Sequence, residues 1–153
     1  MTIADAYARQ RELQEKVGYH PNRGEIVVAF IAELGETLNL VKGEWAWWKR
    51  YGDEFSIDSD HLAEELADML HFAFILAMKD SHDANALVLD DVEVKDFPDI
   101  VRQMLTNANS RRYSRRLIPL IIKFGRHFGV GKDDVLAAYF AKAEENERRW
   151  SEA

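Results

Sequence analysis

The sequence contains no cysteine. Disulfides, zinc–thiolate sites and thiol nucleophiles are therefore excluded, and a chain built without them is expected in a reducing cytoplasm. It also lacks any run of about 20 apolar residues, the length a membrane helix needs. The start, MTIADAYARQRELQ, is polar and helical in pattern and has no apolar segment of the signal-peptide kind. This predicts a soluble, unexported protein with no membrane partner. Positive charge is scarce: 20 Lys and Arg against 27 Asp and Glu give a net charge of -7. That balance argues against a nucleic-acid partner, because such affinity rests on a basic surface. Strand-like alternation is nearly absent, and no repeat or low-complexity segment appears. The length of 153 residues suits a single domain, which would bury about 68–70% of its unfolded surface.

What remains is helical patterning, broken by a few clear stop signals. A first helix is predicted from Ala4 to Val17, ended by GYHPNRG. A second runs from about Glu25 to Lys42, with Gly43 after it, and is followed by the aromatic and basic segment EWAWWKRYG. Residues 52–59 read as a loop in which Asp58 or Ser59 caps a third helix from Asp60 to Lys79. Ser81 to Asp99 reads as a mobile insertion containing a strand-like piece, LVLDDVEV. Further helices are predicted from Phe97 to Asn107, across RRYSRRLIPLIIKFGRHFG with Pro119 as a kink or boundary, and from Lys132 almost to the end. The expected fold is an all-α helical bundle of about six helices.

Two of these helices carry acidic pairs. Glu33 and Glu36 are three residues apart and so share a face. The same helix carries Ile26, Ala29, Leu40 and a second apolar stripe of Val27, Ile31, Leu34, Leu38 and Val41, so it reads as buried nearly all round. Ionised carboxylates in such a setting are costly unless neutralised, and a hard divalent cation with oxygen ligands is the common solution. Glu65 and Asp68 form the matching pair, beside a core stripe of Leu62, Leu66, Met69, Ala73 and Leu76, with Phe72 on the same flank. Packed antiparallel at about 8–10 Å, the two helices would bring all four carboxylates around one or two Mg²⁺ ions. His71 points away from the Glu65 flank on the helical wheel and reads as a satisfied core or interface histidine. In the last helix Lys142, Asn146 and Arg149 fall on one face, a row of donors able to grip a polyphosphate.

Together these residues carry a resemblance. ELGETLNLVKGEWAWWK, ELADMLHF and KAEENERR resemble the motifs of the all-α NTP pyrophosphatase superfamily, and within it the dimeric dUTPases more than the MazG-like enzymes. Ala143 stands where that family usually has Asn, and Gly18 where Asn or Asp is more usual. The resemblance implies hydrolysis of dUTP to dUMP and pyrophosphate by a homodimer, with Mg²⁺ as cofactor and Mn²⁺ as its substitute. It implies Glu33, Glu36, Glu65 and Asp68 as metal ligands, with Glu33 doubling as the base that orients water. Lys49, Lys142, Asn146 and Arg149 would hold phosphates. Gln14, in LQEKVG, would recognise the base, Asn39 would touch water or sugar, Trp47 and Trp48 would wall the nucleoside, and Phe72 would pack under the deoxyribose.

Blander readings stand beside these. Each acidic pair alone is an ordinary solvated helix face, Trp45, Trp47 and Trp48 are at home in core or dimer packing, and Gln14 is an ordinary surface residue. A broader deoxynucleoside triphosphate pyrophosphohydrolase, a di-iron or di-manganese carboxylate protein and a non-catalytic interaction protein remain open as classes. The second is disfavoured because neither acidic pair supplies the Glu-x-x-His such bundles use.

Overall fold

The computed structural model describes residues 1–49, 55–89 and 91–152. Its helices are α1 (Ile3–Lys16), α2 (Arg23–Leu40), α3 (Lys42–Trp45), α4 (Ser59–Lys79), α5 (Ala84–Leu89), α6 (Phe97–Ala108), α7 (Leu117–His127) and α8 (Lys132–Glu152), with 3₁₀ turns at Trp47–Lys49 and Ser114–Arg116. No strand occurs among the described residues, so the fold is all-α as expected. The two helices beyond the expected six are short ones, α3 and α5. None of the described helices is long and apolar enough to cross a membrane. The expected 52–59 loop lies partly outside the described residues.

Local sequence explains the helix starts. Thr2 with Asp5 and Asn22 with Glu25 form capping boxes, each side chain satisfying the other's backbone N–H at the start of α1 and α2. Asp58 and Asp96 cap α4 and α6 through His61 N and Asp99 N. Pro119 does not kink α7. It falls in the first turn, where backbone N–H groups have no intrahelical acceptor and a missing one costs nothing.

The central helix is α4, which packs against α1, α2, α7 and α8. Leu62, Leu66, Met69, Ala73 and Leu76 are fully buried, as their spacing predicts. α2 lies antiparallel to it. Arg23 at the start of α2 bonds Asp80 just past the end of α4, and Thr37 further along donates to Met69 Sδ at 3.3 Å.

Two expectations are corrected. α2 is not buried all round: its inner stripe is Ile26, Phe30, Leu34 and Thr37, whereas Ile31 and Val28 are exposed. Apolar content misled here, because among the described residues this helix packs on α4 along the stripe Ile26, Phe30, Leu34 and Thr37. The segment after Ser81 contains a helix, α5, in place of the strand-like piece. Leu87 and Val92 are buried in the core, and a lone strand there would have had no partner for its ladder.

The end of α7 shows why two glycines sit there. Gly129 adopts φ of 80°, and the bonds Gly129 N to Arg126 O (3.1 Å) and Val130 N to Gly125 O (2.8 Å) make a Schellman cap. At Gly125 a Cβ would meet Val130 O at 2.8 Å and Leu66 Cδ1 at 3.0 Å. The carbonyl is fixed by the cap and cannot yield. Gly125→Ala should therefore cost about 1–3 kcal/mol in urea unfolding through overpacking; an unchanged midpoint would show that the cap relaxes freely.

Candidate active site

The antiparallel packing of α2 on α4 brings Glu33, Glu36 and Glu65 together, with a carboxylate oxygen from each within 4.8 Å of the others. Glu33 Oε2 and Glu65 Oε2 are buried and make no hydrogen bond among the described residues. Buried polar atoms are nearly always satisfied, so these two oxygens single the cluster out as a candidate ligand site. Burial, then the charges of Asp68, Glu36 and Glu65, push the Glu33 carboxyl up to about 7. Burial and the neighbouring Asp68 and Glu36 raise Glu65 as well, against the opposing pull of Lys142 and His61. An all-oxygen donor set with two buried, unsatisfied oxygens fits a hard divalent cation.

Asp68 faces the same region, and there Lys142 Nζ donates to its Oδ1 at 2.7 Å. A cavity of about 230 Å³ opens beside the acids, walled by Glu33, Asp68, His71, Phe72, Tyr139, Lys142 and Asn146 among others. That is below the roughly 300–1,000 Å³ of pockets that enclose a whole small ligand, so it has room for only part of one. On its far side Lys142 also walls a larger cleft of about 650 Å³, with Ala63, Glu64, Ala137 and Ala141. The smaller cavity combines a carboxylate of the acidic cluster with two donors from α8, Lys142 and Asn146.

Other sequence-selected residues lie elsewhere. Trp47 and Trp48 are 83% and 57% exposed and pack edge-to-face on each other, while Lys49 is exposed beside them. Trp45 is partly buried, and its Nε1 donates to Leu38 O at 2.7 Å. Asn39 is exposed one turn beyond Glu36. Arg149 is exposed and pairs with Glu145 at 2.9 Å. Gln14 lines a separate cleft with Tyr7, Arg11 and His20.

Sequence reading missed Gln10 and Tyr139. Gln10 is fully buried and joins α1, α4 and α8: its Oε1 accepts from Tyr139 OH at 2.7 Å and lies 2.8 Å from His71 Nδ1, and its Nε2 donates to Gln14 Oε1 at 3.1 Å. The available signal was a glutamine in the stripe Ala6, Gln10, Leu13, where an apolar residue is the default. His71 is satisfied, as predicted, and it also lines the cavity with Asp68.

The profile of the family described as dUTPase matches residues 2–153. The chain belongs to the dUTPase family. No curated protein matches it. The match spans nearly the whole chain, so this is an all-α dUTPase, a dUTP diphosphatase, and dUTP is the nucleotide to place against the geometry above.

Proposed function

We propose that this dUTPase cleaves dUTP to dUMP and pyrophosphate with Mg²⁺, or Mn²⁺ in its place, held by Glu33, Glu36, Glu65 and Asp68. The observation that carries the reading is the pair of orphaned oxygens, Glu33 Oε2 and Glu65 Oε2, within the acidic cluster. The bound cation would neutralise phosphate charge and activate water, the main demands of phosphoryl chemistry. Glu33, whose proton affinity is raised by burial and then by the charges of Asp68, Glu36 and Glu65, takes the proton of the attacking water. Lys142 and Asn146 steady phosphate oxygens, and Arg149 and Lys49, outside the cavity wall, add positive charge once the substrate is seated. Phe72, in the cavity wall, packs against the deoxyribose. Gln14, Asn39, Trp47 and Trp48 complete nucleoside contacts from outside the cavity. A homodimer supplies the cover that the exposed Trp47, Trp48, Val28 and Ile31 call for. The domain is a single one and works in the cytoplasm.

Pyrophosphate release from dUTP, dCTP, dTTP, dATP, dGTP and UTP tests the substrate assignment. With Mg²⁺, dUTP should be cleaved far faster than the rest and the Glu36→Gln variant should be inactive. Comparable rates on several nucleotides would instead establish a broad pyrophosphohydrolase.

A further inference from the structure

Gln10 has a chemical consequence for the cavity. Its amide oxygen only accepts, and it meets Tyr139 OH and His71 Nδ1, while its amide nitrogen is used on Gln14. With the amide in this orientation, the ring nitrogen facing that oxygen carries the proton. Burial also depresses the His71 imidazole to about 4, so the ring is neutral near pH 7. A neutral imidazole protonated at Nδ1 has a bare lone pair at Nε2. His71 walls the cavity beside Asp68, Lys142 and Asn146.

We infer that Gln10 is a positioning residue that locks His71 in its Nδ1–H tautomer, so that Nε2 accepts a hydrogen bond from the nucleoside of bound dUTP. The inference rests on the active-site reading above. Phosphate oxygens accept and cannot pair with this lone pair. Ionised dUTP offers two donors on its nucleoside, the sugar 3′-hydroxyl and the uracil N3–H, and His71 addresses one of them. The acceptor thus marks the nucleoside end of a cavity that also holds the charged Glu33, Asp68 and Lys142. It also gives α1, which contributes no carboxylate to the cluster, a part in substrate selection.

Nitrogen-15 NMR of the histidines at neutral pH tests the lock without reference to activity. Wild type should show His71 with Nδ1 protonated and Nε2 bare. Gln10→Met, which removes the acceptor, should mix the tautomers, and Gln10→Glu, which keeps an acceptor oxygen, should restore the wild-type pattern. A wild-type ring protonated at Nε2, or a pattern unmoved by Gln10→Met, overturns the inference.

The second arm compares kcat/KM for dUTP, 2′,3′-dideoxyuridine triphosphate and N3-methyl-dUTP in wild type and His71→Asn. Asparagine keeps a donor near the Nδ1 position and deletes Nε2. One analogue should lose roughly 3- to 10-fold on wild type, the worth of one hydrogen bond, mainly through KM, and lose nothing further on His71→Asn. Equal penalties in both proteins overturn the substrate contact. Failure of the active-site reading would show separately, as hydrolysis surviving in Glu36→Gln while the NMR pattern stands.

Discussion

Glu33→Gln will lose dUTP hydrolysis by roughly 10²–10⁴-fold, the span expected for a positioned base, and will melt higher than wild type in EDTA. The two effects share one cause. Glu33 sits among Glu36, Glu65 and Asp68 with one oxygen buried and unsatisfied, so its charge opposes folding until a cation joins it. The sign follows from linkage. A carboxyl whose folded value is about 7, against an ordinary 4.5, binds more protons folded than unfolded, so its contribution declines as pH rises from about 4.5 through 7. His71 runs the other way: with a folded value of about 4 against 6.5, it disfavours the folded state as pH falls below 6.5. The wild-type profile mixes both groups. The comparison with Glu33→Gln isolates one of them, because the amide stays neutral throughout. The melting gap in EDTA should widen as pH rises from 5 to 7.5 and shrink when Mg²⁺ is added. A variant that melts lower than wild type at every pH would show that the carboxylate supports the fold rather than waiting for a ligand.

Asp80→Ala will be the most destabilising of the polar substitutions. Asp80 has a side chain only 2% exposed. It takes two bonds from Arg23, Nε to Oδ1 at 2.8 Å and Nη2 to Oδ2 at 3.0 Å, and a third from the buried Ser114 hydroxyl at 2.6 Å. Arg23 also donates to Ala108 O at 3.0 Å, so one cluster ties the start of α2 to the ends of α4 and α6. Removing the acid strands the guanidinium, and breaking a buried pair from one side costs about 3–5 kcal/mol. At roughly 2–4 °C per kcal/mol for a chain of this size, the melting temperature should fall by about 10 °C. Arg23→Met combined with Asp80→Ala should recover part of that loss, since the stranded charge is gone. The same pair fixes the register of α2 on α4, which decides that Glu33 and Glu36 meet Glu65. The single variant should therefore also bind Mg²⁺ more weakly at temperatures where it is folded. A loss under 1 kcal/mol would make Asp80 an ordinary surface ion pair.

The acidic pairs were legible because their meaning is local: an i, i+3 spacing puts two carboxylates on one face whatever the rest of the chain does. The stripe of α4 was legible for the same reason, and all five of its expected core residues are buried. The surroundings of α2 were not. Ile31 and Val28 are apolar in sequence and exposed in the chain, since periodicity reports that a residue avoids water and not which neighbour covers it. The start of the expected strand-like piece, residues 87–89, is the end of a helix because a short apolar run fits a strand or a helix equally, and Leu87 and Val92 pack onto the core. Gln10 escaped because its importance is nonlocal, depending on His71 and Tyr139 from 61 and 129 residues away. Lys142 was placed as a phosphate ligand by its helix face alone, and its bond to Asp68 needed the packing of α8 on α4.

Mn²⁺ binding followed by electron paramagnetic resonance tests the central claim most directly, in wild type, Glu33→Gln and Glu65→Gln, with dUTP hydrolysis measured on the same samples. Wild type should bind Mn²⁺ and hydrolyse dUTP in proportion to its occupancy. Each variant should lose more than the roughly 10–100-fold in affinity that loss of a mere outer-shell partner costs. Unchanged Mn²⁺ affinity in both variants, or dUTP hydrolysis that persists in EDTA, would contradict the assignment of this cluster as the metal centre of the enzyme.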